Sequence, residues 1–328
     1  MKIQRLLLIA PTEMVRTPAF ERARALACAT GAVLHIVAFD YVQALAAAGL
    51  FDHDAMAQAR EGYLQVHRQW LEQQARFQRC EGVQVSTEVV WARPTLAHLL
   101  EYVNDFHADL VIKDTHRVSA LDRAFHRPLD WQLLRDCPAP LHLVIDATNP
   151  KPLSILATID LSHLEELTQG LNDRILDLAS SLAESCGATL HLLNVSGWSE
   201  LGEAQVNVPT ATLDDSLGDA VNDAQLEAFE ALAERYGVEK QRRHLLPGIP
   251  PKVIAHFAQQ HAFDMVVLGT TYHRGIDIFI GSTVESVLNR SPCSLTIIKP
   301  LPRLDREDEP VRPRLIKINC PQAQRSDQ

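Results

Sequence analysis

The feature that most limits what this chain can fold into is that it repeats itself. ALACATGAVLHIVAF, from Ala25, matches SLAESCGATLHLLNV, from Ser181; each is the end of an amphipathic helix, a glycine turn and a buried strand. His35 and His191 mark the register at an offset of 156. ADLVIKDTHR (Ala108 to Arg117) then matches FDMVVLGTTYHR (Phe263 to Arg274), with Asp109 and Asp264 offset by 155. DWQLLRDCPAPLHLVI, from Asp130, matches TVESVLNRSPCSLTII, from Thr283, with Pro138 and Pro292 offset by 154. Three matches in the same order at a nearly constant offset indicate a duplicated domain.

Each copy reads as strand, helix, strand, long variable segment, strand, helix, strand, loop, helix, strand. In the second copy the strands are roughly LSILATID, ATLHLLNV, KQRRHLL, MVVLG and SLTIIK. Strands rich in Val, Ile and Leu that alternate with helices predict a parallel sheet covered on both faces. The expected architecture is α/β, two tandem doubly wound domains over residues 1–147 and 148–303. They meet near ATNPKP (Ala147 to Pro152), and an acidic, Pro-rich tail occupies 304–328. Within that tail LIKI (Leu315 to Ile318) offers a segment that can dock on a sheet edge.

The formal net charge of -10 argues against indiscriminate binding to nucleic acid or an anionic membrane. In MKIQRLLLIAPTEM, Pro11 and Glu13 cut the apolar stretch far short of a secretory core, so the segment reads as a first buried strand. No apolar run has the length of a membrane span, and the expected location is cytoplasmic. Six scattered cysteines without C-x-x-C read as free buried thiols. His256 and His261 are five apart and His244 and His35 are isolated, which gives a zinc site little support.

Chemistry concentrates in GTTYHRGIDIFIGST, Gly269 to Thr283. Ligands of open α/β sheets collect at the carboxyl ends of strands where the winding reverses. If the first and fourth strands of the second copy flank that point, Asp160 and Gly269 come together. The helix beginning near Ser282 then offers unpaired N–H groups and a positive dipole end to a phosphate. Gly281 permits close approach, Ser282 and Thr283 add hydroxyls, and Arg274 or His273 can neutralise charge. The structural alternative is an ordinary N-cap behind an ordinary turn glycine.

These residues resemble the universal stress proteins, in particular their tandem E-type members. The resemblance rests on ATIDLS at Ala157 to Ser162, HLLPGIP at His244 to Pro250, GSTVESVL at Gly281 to Leu288 and DWQLLRDCPAPLHLV in the first copy. It implies two domains packed as an intramolecular pseudo-dimer, further self-association into a homodimer, and a site for ATP or another adenine nucleotide with magnesium. Asp160, Gly269, Arg274, Gly281, Ser282 and Thr283 would line that site. ATP-binding members carry Gly, two residues, Gly, nine residues, then Gly and Ser or Thr. Here Tyr272 replaces the second glycine, and eight residues (His273 to Ile280) separate it from Gly281.

In the first copy Asp114 stands for Gly269, and Arg127 and Pro128 stand for Gly281 and Ser282, so no nucleotide is expected there. The connection Thr115 to Trp131, with His116, His126, Arg117, Arg123 and Arg127, reads as a solvated loop or a basic pocket. The expected function is regulatory and non-enzymatic: a stress-response protein sensing an adenine nucleotide. The chain lacks G-x-x-x-x-G-K-[ST], G-x-G-x-x-G and G-x-S-x-G. Weak ATP hydrolysis stays open as an alternative. So does a sensor or scaffold that holds a lipid-like ligand between the domains, with both nucleotide sites degenerate.

Overall fold

The computed structural model describes residues 2–42, 53–79, 82–115, 129–145, 147–161, 170–196, 215–270 and 282–300. The first copy runs β1 (Arg5–Ala10), α1 (Pro18–Thr30), β2 (Val33–Asp40), α2 (His53–Gln78), β3 (Val85–Trp91), α3 (Leu96–Phe106), β4 (Leu110–Asp114), α4 (Leu129–Asp136) and β5 (Leu141–Val144). The second runs β6 (Ser154–Ile159), α5 (Leu171–Cys186), β7 (Thr189–Ser196), α6 (Asp215–Arg235), β8 (Arg243–Pro247), α7 (Pro250–Gln260), β9 (Met265–Gly269), α8 (Ser282–Arg290) and β10 (Ser294–Ile298). The repeat is visible down to its turns. Gly31 and Gly187 both end a helix in the left-handed region, at φ 71° and 64°, and a side chain there would strain the cap.

The ten described strands form one sheet in the order β3-β2-β1-β4-β5-β10-β9-β6-β7-β8. Pairing is parallel within each half, and the halves join through one antiparallel pair, β5 with β10. Thr296 is the counterpart of His142 in the repeat, and these two residues face each other across the seam. Leu141 pairs with Ile297 and Leu143 with Leu295. A pseudo-twofold axis therefore passes through the His142–Thr296 pair, whose Nδ1 and Oγ1 lie 2.8 Å apart in full burial. Burial, reinforced by the Arg22 guanidinium, holds the His142 imidazole well below its ordinary pKa. The two hydrophobic cores, one on each face of the sheet, both draw residues from both halves.

Sequence reading needs correction in several places. The long variable segments contain α2 and α6, and α2 spans 26 residues. KQRRHLL is divided: Lys240–Arg242 form a 3-10 turn, and the strand starts at Arg243. Cys137, Cys186 and Cys293 are buried, whereas Cys28 is exposed. His244 is not isolated, because its ring stacks on that of His191. The tail beyond 300, with LIKI, and the His/Arg-rich connection over 116–128 lie outside the described residues.

Asp109 and Asp264, which fixed the register of the repeat, also do the same structural work. The Asp109 Oδ2 accepts hydrogen bonds from the backbone N–H groups of Gln4 and Arg5 at 2.8 and 2.9 Å, and so ties β4 to the start of β1. The Asp264 Oδ2 accepts from Leu153 and Ser154 at 2.8 and 3.0 Å, while its Oδ1 accepts from the Asn149 side chain at 2.8 Å. Bonds to a charged acceptor contribute about 1.5–3 kcal/mol each. Both carboxylates are partly open to water, which takes over part of what is lost, so Asp264→Ala is expected to lower stability by about 2–3 kcal/mol in urea unfolding, and Asp109→Ala by less, since it anchors no linker side chain.

Candidate functional site

In the second half β6 lies between β7 and β9, so the winding direction reverses between β6 and β9. Beyond the carboxyl ends of these strands opens a cavity of about 250 Å³. Its floor comes from the strands, through Ile159, Leu193, Val195 and Leu268. Its walls come from the helices, through Leu171 and Ile175 of α5, Pro250 and Ile254 of α7, and Val284 of α8. The polar side chains of the lining are Thr158, Asp160, Asn172 and Thr283, and none of the described lining residues is basic. The cavity thus offers an apolar slot with a few polar groups at the rim, the usual composition of a small-molecule site.

Asp160, Gly269 and Thr283 line this one cavity. Ser282 opens α8, as the sequence predicts. Arg274 and Gly281, with Tyr272 and His273, lie outside the described residues. Gly269 is a close-approach glycine: a Cβ on it would stand 2.8 Å from Leu171 Cδ2 and 3.0 Å from Ile175 Cδ1. Its absent side chain lets α5 settle onto the end of β9. Asn172, which no motif marks, has a side chain that mimics a backbone strand. Its Nδ2 donates to the Asp160 carbonyl at 2.8 Å, and its Oδ1 accepts from the Asp160 N–H at 3.2 Å. This clamp fixes where the strand ends and so where the Asp160 carboxylate starts.

In the first half charged residues stand at matching positions. The repeat places Lys113 at the position of Leu268, Asp114 at Gly269 and Asp130 at Val284. Lys113 Nζ lies 3.0 Å from Asp130 Oδ1 and donates to the Asp114 carbonyl at 3.0 Å. The Thr115 hydroxyl donates to Asp130 Oδ2 at 2.8 Å. Two apolar cavity walls of the second copy are replaced here by the partners of an internal ion pair.

Fold and site together define a tandem doubly wound α/β protein with an open switch-point cavity in its second half and an ion pair at the equivalent place in its first. The universal stress protein family model matches residues 12–144 and 170–299. Universal stress protein E of Escherichia coli K12 is 31% identical over 255 residues, 76% of this chain and 79% of the relative. Its homolog in Haemophilus influenzae is 27% identical over 220 residues, 66% and 71% of the two chains. A crystal structure of a universal stress protein from Pseudomonas aeruginosa superposes with TM-score 0.66 at 23% identity, covering 91% of this chain and 94% of that one. The chain belongs to the universal stress protein family, and carries two such domains in tandem. No helix among the described residues is long and apolar enough to cross a membrane.

Proposed function

We propose that this stress-response protein is a regulatory, non-catalytic sensor that binds one adenine nucleotide per chain, with magnesium, in the second copy. The observation that carries this reading is the cavity at the β6/β9 switch point. Asp160 and the first turn of α8, through Thr283 and Val284, both line it. The apolar slot suits a flat base, and the start of α8 suits phosphate. Neutralising charge would come from Arg274, because the described walls supply none. The Lys113–Asp130 pair supports an empty first copy, since a ligand there would have to displace both charges.

A calorimetric titration of the full chain with ATP and magnesium tests this. The expected result is saturation at one nucleotide per chain, abolished by Ser282→Asp, which sets a carboxylate where phosphate would lie. Gly269→Val, which sets a side chain against Leu171 and Ile175 in the cavity lining, should weaken binding at least tenfold. No heat at millimolar ATP would retire the nucleotide. The predominantly apolar lining would then favour the second reading, an apolar small molecule, tested by extracting the purified protein. Steady phosphate release lost in Asp160→Ala would instead make the protein an ATPase.

A further inference from the structure

At the opposite end of the strands that wall the cavity, three imidazoles meet. Alternation along β7 puts His191, Leu193 and Val195 on one face, and the last two line the cavity. α7 runs parallel to that row. Its Ile254 lines the cavity, while Phe257 and His261, about one and two turns further on, reach the histidine end. His191 Nδ1 lies 3.0 Å from His244 Nε2, and the two rings stack with centroids 5.3 Å apart. His244 also packs on Phe257 at 4.6 Å and faces His261 at 6.3 Å; Phe263 meets His191 edge-on at 5.0 Å.

No carboxylate among the described residues forms an ion pair with these rings. From the turn before β8, Arg242 faces them, paired with Glu239 at 3.0 Å. Arg243 of β8 is engaged by Glu230 and the Val238 carbonyl. On α7, His256 is exposed on another side of the helix. At the start of β9 the Asp264 carboxylate is occupied by Asn149 and the 153 and 154 amides. Burial, and then the charges of His244, Arg242 and His261, push His191 down to about 4; burial and His261 also lower His244. The first copy is built differently. His35, the counterpart of His191, sits 2.7 Å from the Ser86 hydroxyl and 2.5 Å from the Tyr102 hydroxyl, with Glu88 3.9 Å away.

An N–H···N hydrogen bond needs one donor and one acceptor, so two protonated rings would face each other with two N–H groups and two positive charges. We infer that the His191–His244 pair, with His261 packed beside it, forms a proton-sensitive latch on the cavity: acid releases β8 and α7 from β7, and with them the wall made by Pro250 and Ile254. As regulation of ligand binding this rests on the proposed site, but the latch itself needs no ligand. The sign follows from the pKa values. The closed form holds His191 near 4, and the open form restores its ordinary 6.5. Opening through His191 is therefore nearly unaffected above pH 6.5, rises by up to about tenfold per pH unit below it, and levels off near pH 4; His244 acts in the same direction.

Hydrogen exchange of the ligand-free full chain at pH 7.5 and 5.5, corrected for intrinsic exchange chemistry, tests the latch. Segment 243–260 should open about tenfold more at pH 5.5. α3, which in the first copy packs through Tyr102 and Phe106 on the single imidazole of His35, itself lowered by burial, should change less, and α5 should not change. The double variant His191→Gln with His244→Gln removes both titrating rings while keeping hydrogen-bonding side chains, and should flatten the pH ratio; if it does not fold, His191→Gln alone should lower the ratio. Absent acceleration, equal acceleration in α3, or acceleration retained in the variant would overturn the latch. An ATP titration of the same samples separates the two readings. No binding at pH 7.5 retires the nucleotide and leaves the exchange result standing.

Discussion

His67→Ala is expected to destabilise the chain by about 3–5 kcal/mol, read as a fall in the urea midpoint at unchanged m-value. His67, on α2, is 2% exposed, and Asp40, the last residue of β2, is 4% exposed. His67 Nδ1 and Asp40 Oδ2 lie 2.5 Å apart in a close contact rather than an aligned hydrogen bond. Tyr63, one turn before His67, donates its hydroxyl to the other carboxylate oxygen at 3.2 Å. The two rings lie 4.7 Å apart at centroid. Removing the imidazole leaves a carboxylate under a 26-residue helix with one neutral partner, and burial makes that expensive. The pair itself adds little over apolar packing, because forming it also took a carboxylate and an imidazole out of water. Asp40→Leu with His67→Leu should therefore recover most of what the single substitution loses. A single substitution costing under about 1 kcal/mol would show that water reaches the pair, as at a surface bridge.

That pair also marks the limit of what the sequence discloses. Buried parallel strands write continuous apolar runs such as LSILATI and MVVLG, and the repeat doubles each signal, so sheet, order and duplication are legible. The meeting of Asp160 and Gly269 follows from a topological rule that needs only the order of elements. α2 is harder to see, because its buried residues, among them Leu64, His67, Leu71 and Gln78, mix polar with apolar types and blur the helical stripe. Contacts made by single side chains across long separations leave no periodic trace. Asn172 clamping Asp160, Lys113 reaching Asp130 and His191 meeting His244 are of this kind. In each, residue type was visible and partner was not. His244 looked isolated because its partner is 53 residues away.

Separating the halves at the 147–152 linker should yield dimers, not two stable monomers. The apolar residues of the seam strands, Leu141, Leu143 and Val144 of β5 and Leu295, Ile297 and Ile298 of β10, are nearly or fully buried. Either half alone presents such a strand as an open edge with unpaired backbone groups, and an apolar edge of this kind seeks another strand. The pseudo-twofold axis supplies the partner. Because His142 and Thr296 are counterparts that already face each other, a second copy of the same half can take the missing place, pairing like with like. The halves should differ in how well they do so. Two threonine hydroxyls exchange a hydrogen bond easily, whereas two fully buried imidazoles must each stay neutral and find a partner, so residues 151–300 should dimerise more tightly than 1–146. Sedimentation of each half, alone and mixed, gives the readout. Mixing should return the one-to-one complex, since only that pairing restores the His142–Thr296 contact and the packing of α1 against α5. A stable monomeric half, unfolding at the same urea concentration as the whole chain, would mean that the seam contributes little. The shared cores would then be two cores in contact.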